Sequence, residues 1–370
     1  MKKTLLFALT LLLLSVGIFS CQKDPGTDTP EPGAGPDRKA LLTYWADSLV
    51  KPGYQRFNTK LTTLKAKTTA FTAAPTAATL LEARQAWASA YVEWQKVELY
   101  EFGPAEQVSL RNRFNIYPAD VAGINRNISA GTYDFELSTA IPQQGFPALD
   151  YLLNGIATSD AAIAQQYATS AAHRRYLTDV VAKMEQTFGT VYSQWNGSYR
   201  DTFVGNTGTD ASSSLSRVVN AYSLYFERFL RAGKIGIPAG TMSGTPLPEK
   251  MEAYYHRGAL PLQLATTAHA TVQAFFNGRA GQPSLKSYLD ALGAKDSRTG
   301  QGLAGLINTQ FGVSFQQLSS LGPDLHATFT SRNPDAVASY NEMQKAVRLL
   351  KVDMTSALSV TVTYVDNDGD

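Results

Sequence analysis

"TLLEARQAWASAYVEWQKVELYEF" (79–102) is the stretch that decides the fold class. Leu80, Ala83, Trp87, Ala90, Tyr91, Trp94 and Val97 recur in steps of three and four, the spacing of one apolar face on an α-helix. Gly103-Pro104 supplies the stop. Stepping about 100° per residue from Trp87 places Glu98 and Glu101 inside the apolar stripe, and Glu93 and Lys96 on the opposite, solvent-facing side.

The same spacing recurs along the chain. It predicts a long helical segment over 159–195, broken once, and helices over 212–232, 258–278 and 334–358. In the last, Tyr340, Met343, Val347, Leu350, Met354 and Leu358 form the stripe. Only "SVTVTYV" (359–365) alternates like a strand. Long helices with so little strand predict an all-α protein made of two helical-bundle domains packed side by side. The polar stretch "YRDTFVGNTGTDASSS" (199–214) marks the boundary, dividing the chain into 38–205 and 206–370. "ALDYLLNG" (148–155) and "TVQAFFNG" (271–278) echo each other, so a duplicated four-helix bundle is one form this architecture can take, although Asn-Gly is common at helix ends anyway.

The first 37 residues read differently. Lys2 and Lys3 precede an apolar run from Leu5 to Phe19, the layout of a signal peptide over 1–20. The run ends at Cys21, the only cysteine, and Ile18-Phe19-Ser20-Cys21 fits a bacterial lipobox apart from Phe19. A lipidated Cys21 would anchor the protein to a membrane without spanning it, and no second apolar run is long enough to span. Residues 21–37, rich in Pro, Gly and acids, read as a disordered tether. An exported, lipid-anchored cell-envelope protein follows, outer-membrane, periplasmic or surface-exposed. A lone cysteine excludes an internal disulfide. The formal charge is +2, and losing Lys2 and Lys3 takes it to 0. A neutral chain argues against nucleic acid as a partner.

Two acids sit where apolar residues belong. Glu98 is one. The other is in "GFPALDYLL" (145–153), where Asp150 shares a helical face with Phe146, Leu149 and Leu153, and Pro147 is tolerable in a first turn. A buried carboxylate is costly unless paired, hydrogen-bonded or bound to a cation. The functional alternative is a polar site inside a bundle; the bland ones are a helix end emerging into solvent, a dipole effect, or an arginine such as Arg111 or Arg113 satisfying each acid. In "YFERFLRAGKIGIPAG" (225–240) a glycine-rich loop carries Lys234, either beside a plain helix C-cap or reaching toward an anionic group. Glu98, Asp150, Lys234 and Glu252 are the candidate ligand-binding residues, with Glu98 and Asp150 the metal candidates. His173, His256, His269 and His326 form no pair at helical metal spacing, and neither H-E-x-x-H nor G-x-S-x-G occurs. "DNDGD" (366–370) opens like a calcium loop but lacks the later ligands.

"AWASAYVEWQKVELYEFGP" (86–104), "IYPAD" (116–120), "GFPALDYLL", "RAGKIGIPAG" (231–240) and "ALSVTVTYVDNDGD" (357–370) together resemble the imelysin-like family, also called insulin-cleaving membrane protease or iron-regulated protein A-like proteins, and in detail its Bacteroidetes lipoproteins. The resemblance implies an all-α fold with a site between two bundle-like domains and a G-x-H-x-x-E motif read as metal-binding. Here the motif reads Gly145-Phe146-Pro147-Ala148-Leu149-Asp150: Pro147 replaces the histidine and Asp150 the glutamate. No catalytic residue is therefore assigned. The expectation is a non-enzymatic envelope lipoprotein linked to iron uptake, with iron or another divalent metal as the candidate cofactor and iron-uptake proteins or a small molecule as candidate partners. A metallopeptidase and a purely structural or protein-interaction lipoprotein are the alternatives.

Overall fold

A computed structural model describes residues 36–364; the signal-peptide, lipobox and tether assignments up to residue 35, and the "DNDGD" tail, lie outside the described residues. Near the start of the described chain, Asp37 Oδ1 accepts a hydrogen bond from the Ala40 N–H at 2.9 Å and caps the helix Arg38–Tyr44.

The fold is all-α. In the first half, the long helix Lys51–Ala73 packs between Ala77–Trp94 and Ala171–Asn196. Thr76 and Thr79 form a capping box that starts Ala77–Trp94. The segment predicted over 159–195 is two helices, Asp160–Thr169 and Ala171–Asn196, separated by the single break at Ser170, whose hydroxyl caps the second. Phe57, Trp94, Phe114, Phe146 and Phe188 fill the space between helices; Phe57 meets Phe188 edge-on at 4.8 Å and Trp94 stacks on Phe114 at 4.9 Å. Burying each such ring contributes about 1.5–3 kcal/mol.

In the second half, Leu260–Asn277, Leu303–Ser319 and Asn333–Arg348 pack around a π-helical segment, Tyr225–Gly236, that continues the helix Ser214–Leu224. His269 belongs to this core. Its Nε2 lies 2.8 Å from the Ser314 hydroxyl, and burial pushes its imidazole down to about 4, so it stays neutral. The polar loop 206–213 connects the halves. Leu260–Asn277 also packs on Ala77–Trp94, and its Phe275 stacks on Trp45 and Tyr222, at 5.1 and 5.5 Å. The buried apolar residues of both halves thus form one continuous core.

The tail corrects one expectation. Residues 359–364 form no strand; the Asn220 side chain instead pairs with its backbone, donating to Thr361 O at 3.0 Å and accepting from Thr363 N at 2.9 Å. An alternating pattern without a neighbouring strand has no ladder to join. Among the described residues no helix is long and apolar enough to cross a membrane.

Candidate functional site

The helix that opens at Thr76 stops at Trp94, four residues before Glu98. Glu98 therefore lies on an irregular turn and not on the predicted helical stripe, yet it is buried, at 2% exposure. Lys234 is likewise not in a loop. It sits inside the π-helical segment Tyr225–Gly236, and such widened turns are frequent at functional sites because they redirect side chains. Glu252 follows on the irregular segment 251–258.

These three residues meet. Lys234 Nζ lies 2.6 Å from Glu252 Oε1 and 3.4 Å from Glu98 Oε2, with all three side chains at most 2% exposed. Asn115 bridges the acids, its Nδ2 donating at 2.7 Å to Glu98 Oε1 and at 2.7 Å to Glu252 Oε1. The Tyr225 hydroxyl donates to Glu98 Oε2 at 3.0 Å. Tyr91 donates to Asn115 Oδ1 at 2.5 Å, and both Tyr91 and Gln95 approach Glu252 Oε1 at 3.4 Å. Glu98, Asn115, Tyr91 and Gln95 come from the first half of the chain, and Tyr225, Lys234 and Glu252 from the second.

The pairing is lopsided. Lys234, Asn115 and Gln95 all donate to Glu252 Oε1, while among the described residues Glu252 Oε2, which is buried, has no hydrogen-bond partner, nor has the side-chain oxygen of Gln95. A buried acceptor without a donor costs on the order of 1–3 kcal/mol. Burial pushes the Glu252 carboxyl up, prevailing over the downward pull of Lys234. The hydroxyls of Tyr91 and Tyr225 are also held far above their ordinary range, by burial and then by the neighbouring acids, so they act as donors. Tyr117 is half-buried beside the cluster; its hydroxyl would stand 3.0 Å from a Cβ on Gly233.

The arginines expected to satisfy the acids do something else. Arg111 Nε donates to the backbone oxygen of Glu98 at 3.1 Å, and its guanidinium lies over the Phe229 ring at 4.3 Å. Arg113 binds the backbone oxygens of Val108 and Phe135 and pairs with Glu136. Glu93, assigned above to solvent, is buried and pairs with Arg56 and Lys96, whose long side chains cover it from outside. Glu101 accepts the Arg111 N–H at 3.0 Å, and burial pushes its carboxyl up to about 7.

Asp150 is buried but does not join the cluster. Gly145 opens its helix at φ +78°, where a Cβ would stand 2.4 Å from the Phe114 carbonyl oxygen, so only glycine fits. Phe146 then stacks flat on Tyr91 at 4.4 Å. Asp150 is the last residue of this short helix, Gly145–Asp150, so no N-terminal dipole accounts for it. Its Oδ2 accepts the Tyr255 N–H at 2.8 Å, and its Oδ1 the His256 N–H at 2.9 Å and Asn154 Nδ2 at 3.1 Å. Burial still pushes the carboxyl up to about 7 against these donors. Asp150 thus holds the segment 251–258, which carries Glu252 into the cluster. That segment needs holding, because Ala253 and Arg257 both take positive φ, at +51° and +57°.

For a resident metal ion the donor set fits poorly. Carboxylate oxygens suit hard iron, but the Lys234 ammonium already stands between the two glutamates, and among the described residues no three His, Cys, Asp or Glu side chains meet in a metal-holding group. Glu98 and Asp150 bond to separate partners and do not form one ligand set.

Comparison with known proteins gives the context. The imelysin family model, a peptidase M75 family, matches residues 50–355. Iron-regulated protein A of Synechococcus elongatus is 31% identical over 120 residues, which cover 31% of this chain and 33% of that protein, so the match spans about a third of the curated relative. Two crystal structures share the fold: a protein provisionally named an iron-regulated protein A precursor from Parabacteroides distasonis (TM-score 0.69, 18% identity), and an imelysin-like protein from Psychrobacter arcticus (TM-score 0.68, 20% identity). Each alignment covers 88% of this chain and 97% of the other.

Proposed function

This chain belongs to the imelysin family, and we propose that it is a non-enzymatic binding protein of the cell envelope, linked to iron uptake, whose ligand engages the Glu98–Lys234–Glu252 cluster between its two helical halves. The observation that carries this reading is that Glu252 Oε2 and the Gln95 side-chain oxygen are both buried with no hydrogen-bond partner among the described residues. With both glutamates ionised and Lys234 charged, the trio holds one negative charge in excess. A ligand that brings N–H or O–H donors, or a cation, to those oxygens would complete the cluster. The link to iron uptake follows the names of the relatives, and export with lipid anchoring at Cys21 follows the N-terminal sequence.

Residue chemistry supports the non-enzymatic side. Pro147 stands where the family motif has histidine and offers no ligand atom, while both Asp150 oxygens are occupied by N–H donors. A metallopeptidase would need a ligand set these residues do not supply.

A thermal-shift titration tests the proposal. The purified protein and its Glu252→Gln variant are titrated with ferrous, ferric, zinc and calcium ions and with haem. A ligand that binds only the native state raises the melting temperature with concentration, adding about 2.7 kcal/mol at a hundred times its Kd. A rise in the wild type that disappears in Glu252→Gln supports the proposal. No rise with any ligand, or a rise that survives the substitution, sinks it and favours a structural or protein-interaction role.

A further inference from the structure

A second cluster of two carboxylates around a cation lies in the second half of the chain. Arg348 Nη2 lies 2.6 Å from Asp296 Oδ1, and Arg348 Nη1 lies 2.5 Å from Asp353 Oδ2. The remaining oxygens are taken by one short loop. Thr299 donates to Asp296 Oδ2 from its N–H at 2.8 Å and its hydroxyl at 2.6 Å. Ser297 donates to Asp353 Oδ1 from its N–H at 3.2 Å and its hydroxyl at 2.6 Å. A bridge between Lys295 and Gly302 closes the loop at its base.

The residue between these two tethered neighbours is Arg298. It is exposed and makes no hydrogen bond or ion pair with the described residues. Two backbone and two hydroxyl hydrogen bonds therefore tether the residues on either side of a guanidinium that has no partner among the described residues. Arg298 lines a cavity of about 560 Å³. The cavity floor is apolar, with Leu306, Val347, Leu349 and Val352, and Val352 is 55% exposed. Lys345 and Lys351 also line it, each already matched, with Glu342 and Glu227. The Gln344 side-chain oxygen is buried there without a hydrogen-bond partner. The volume is that of a small-molecule site, and an apolar lining with a few fixed polar groups is its usual composition.

We propose that this cavity is a second ligand site, for an amphipathic organic anion: a carboxylate or phosphate ester set on Arg298, with an apolar body over Leu306, Val347, Leu349 and Val352. A guanidinium suits both head groups because its planar fork pairs with two oxygens at once. Because its loop is pinned before the ligand arrives, little ordering is lost on binding. The site is separate from the Glu98–Lys234–Glu252 cluster and stands whether or not that cluster binds iron or any other ligand.

The probe is 1-anilinonaphthalene-8-sulfonate, whose anionic head and aromatic body match the site and whose fluorescence rises on burial. It is titrated into the wild type, Arg298→Glu and Lys60→Glu; Lys60 is exposed and bonds nothing described, so it gives the same change of net charge elsewhere. The expected result is saturable binding that Arg298→Glu weakens at least about tenfold, the loss of one hydrogen-bonded charge, and Lys60→Glu leaves alone. Octanoate or octyl phosphate should displace the dye while neutral octanol does not, and the stronger of the two names the head group. Equal weakening by both charge reversals, no weakening by Arg298→Glu, displacement by octanol as strong as by the anions, or no saturable binding would each overturn the proposal. Equal melting temperatures for the three proteins separate a lost site from a lost fold.

Discussion

The molecule contains the same motif twice, two carboxylates flanking one cation, and the two copies are finished to different degrees. Around Arg348, each carboxylate oxygen of Asp296 and Asp353 has a donor, so the cluster is complete as folded. Around Lys234, Glu252 Oε1 is crowded by three donors while Oε2 has none among the described residues. The setting differs too. The Arg348 side chain is 35% exposed, whereas that of Lys234 is 2% exposed. A buried cluster left incomplete is expensive to keep, and this inequality supports the proposal that Lys234 and its acids take a ligand while Arg348 pins a loop.

The largest expected effect breaks the buried copy. Lys234→Met leaves two acids facing each other without water, and should cost about 3–5 kcal/mol in urea denaturation. The equivalent cut at the other copy, Arg348→Met, should cost less, roughly 1–3 kcal/mol, because Asp296 and Asp353, although buried, each keep two donors from Thr299 or Ser297. Equal losses would remove the distinction between the two.

The next effect is on pH. Asp150 and Glu101 are both raised to about 7, from ordinary values of 3.8 and 4.5. For an acid raised in the folded state, the native protein binds the extra proton, so stability falls as pH rises between the unfolded and folded values and is level above. Each group should contribute a slope of about −1.4 kcal/mol per pH unit between roughly pH 4.5 and 7. Asp150→Asn and Glu101→Gln should each remove its own contribution of about 1.4 kcal/mol per pH unit, measured as the difference from the wild type by denaturation across the range. His269, held down to about 4, works in the opposite sense between roughly pH 4 and 6.5, so the test is the difference from the wild type: a variant profile parallel to the wild-type one would contradict the raised carboxyl that the variant removes. Asp150→Asn should also lower the baseline by about 1 kcal/mol, since an amide nitrogen cannot accept one of the two N–H groups. The smallest effect on the fold is expected from Cys21→Ser, which should move the protein from the membrane fraction to the soluble fraction with no change in melting temperature.

The amino-acid pattern made the helices legible because burial of one face imposes its spacing on the chain. The pattern places helix starts at 79, 212, 258 and 334, within two residues of where Ala77–Trp94, Ser214–Leu224, Leu260–Asn277 and Asn333–Arg348 begin, and a break within 159–195, but not its position at Ser170. Glu98 was found for a partly mistaken reason: it is buried, but on a turn beyond the end of its helix, where the 3.6-residue period no longer governs direction. Glu93 was misplaced because the side chains that cover it, Arg56 and Lys96, come partly from another helix. Lys234 and Glu252 were singled out separately, with nothing to show that they touch. Asn115, Tyr91 and Gln95 carried no local signal, since a polar residue that serves a distant partner looks like any other in its own segment. The π-helical run Tyr225–Gly236 was equally hidden, because one widened turn barely disturbs an apolar stripe.

Calorimetric titration of ferrous ion, ferric ion and haem into the wild type, Glu252→Gln and Arg348→Met tests the central contrast most directly. Saturable binding to the wild type that is lost in Glu252→Gln and kept in Arg348→Met is the predicted result. Binding that survives Glu252→Gln, or that fails equally in both variants, would contradict the assignment of the unfinished cluster as the site.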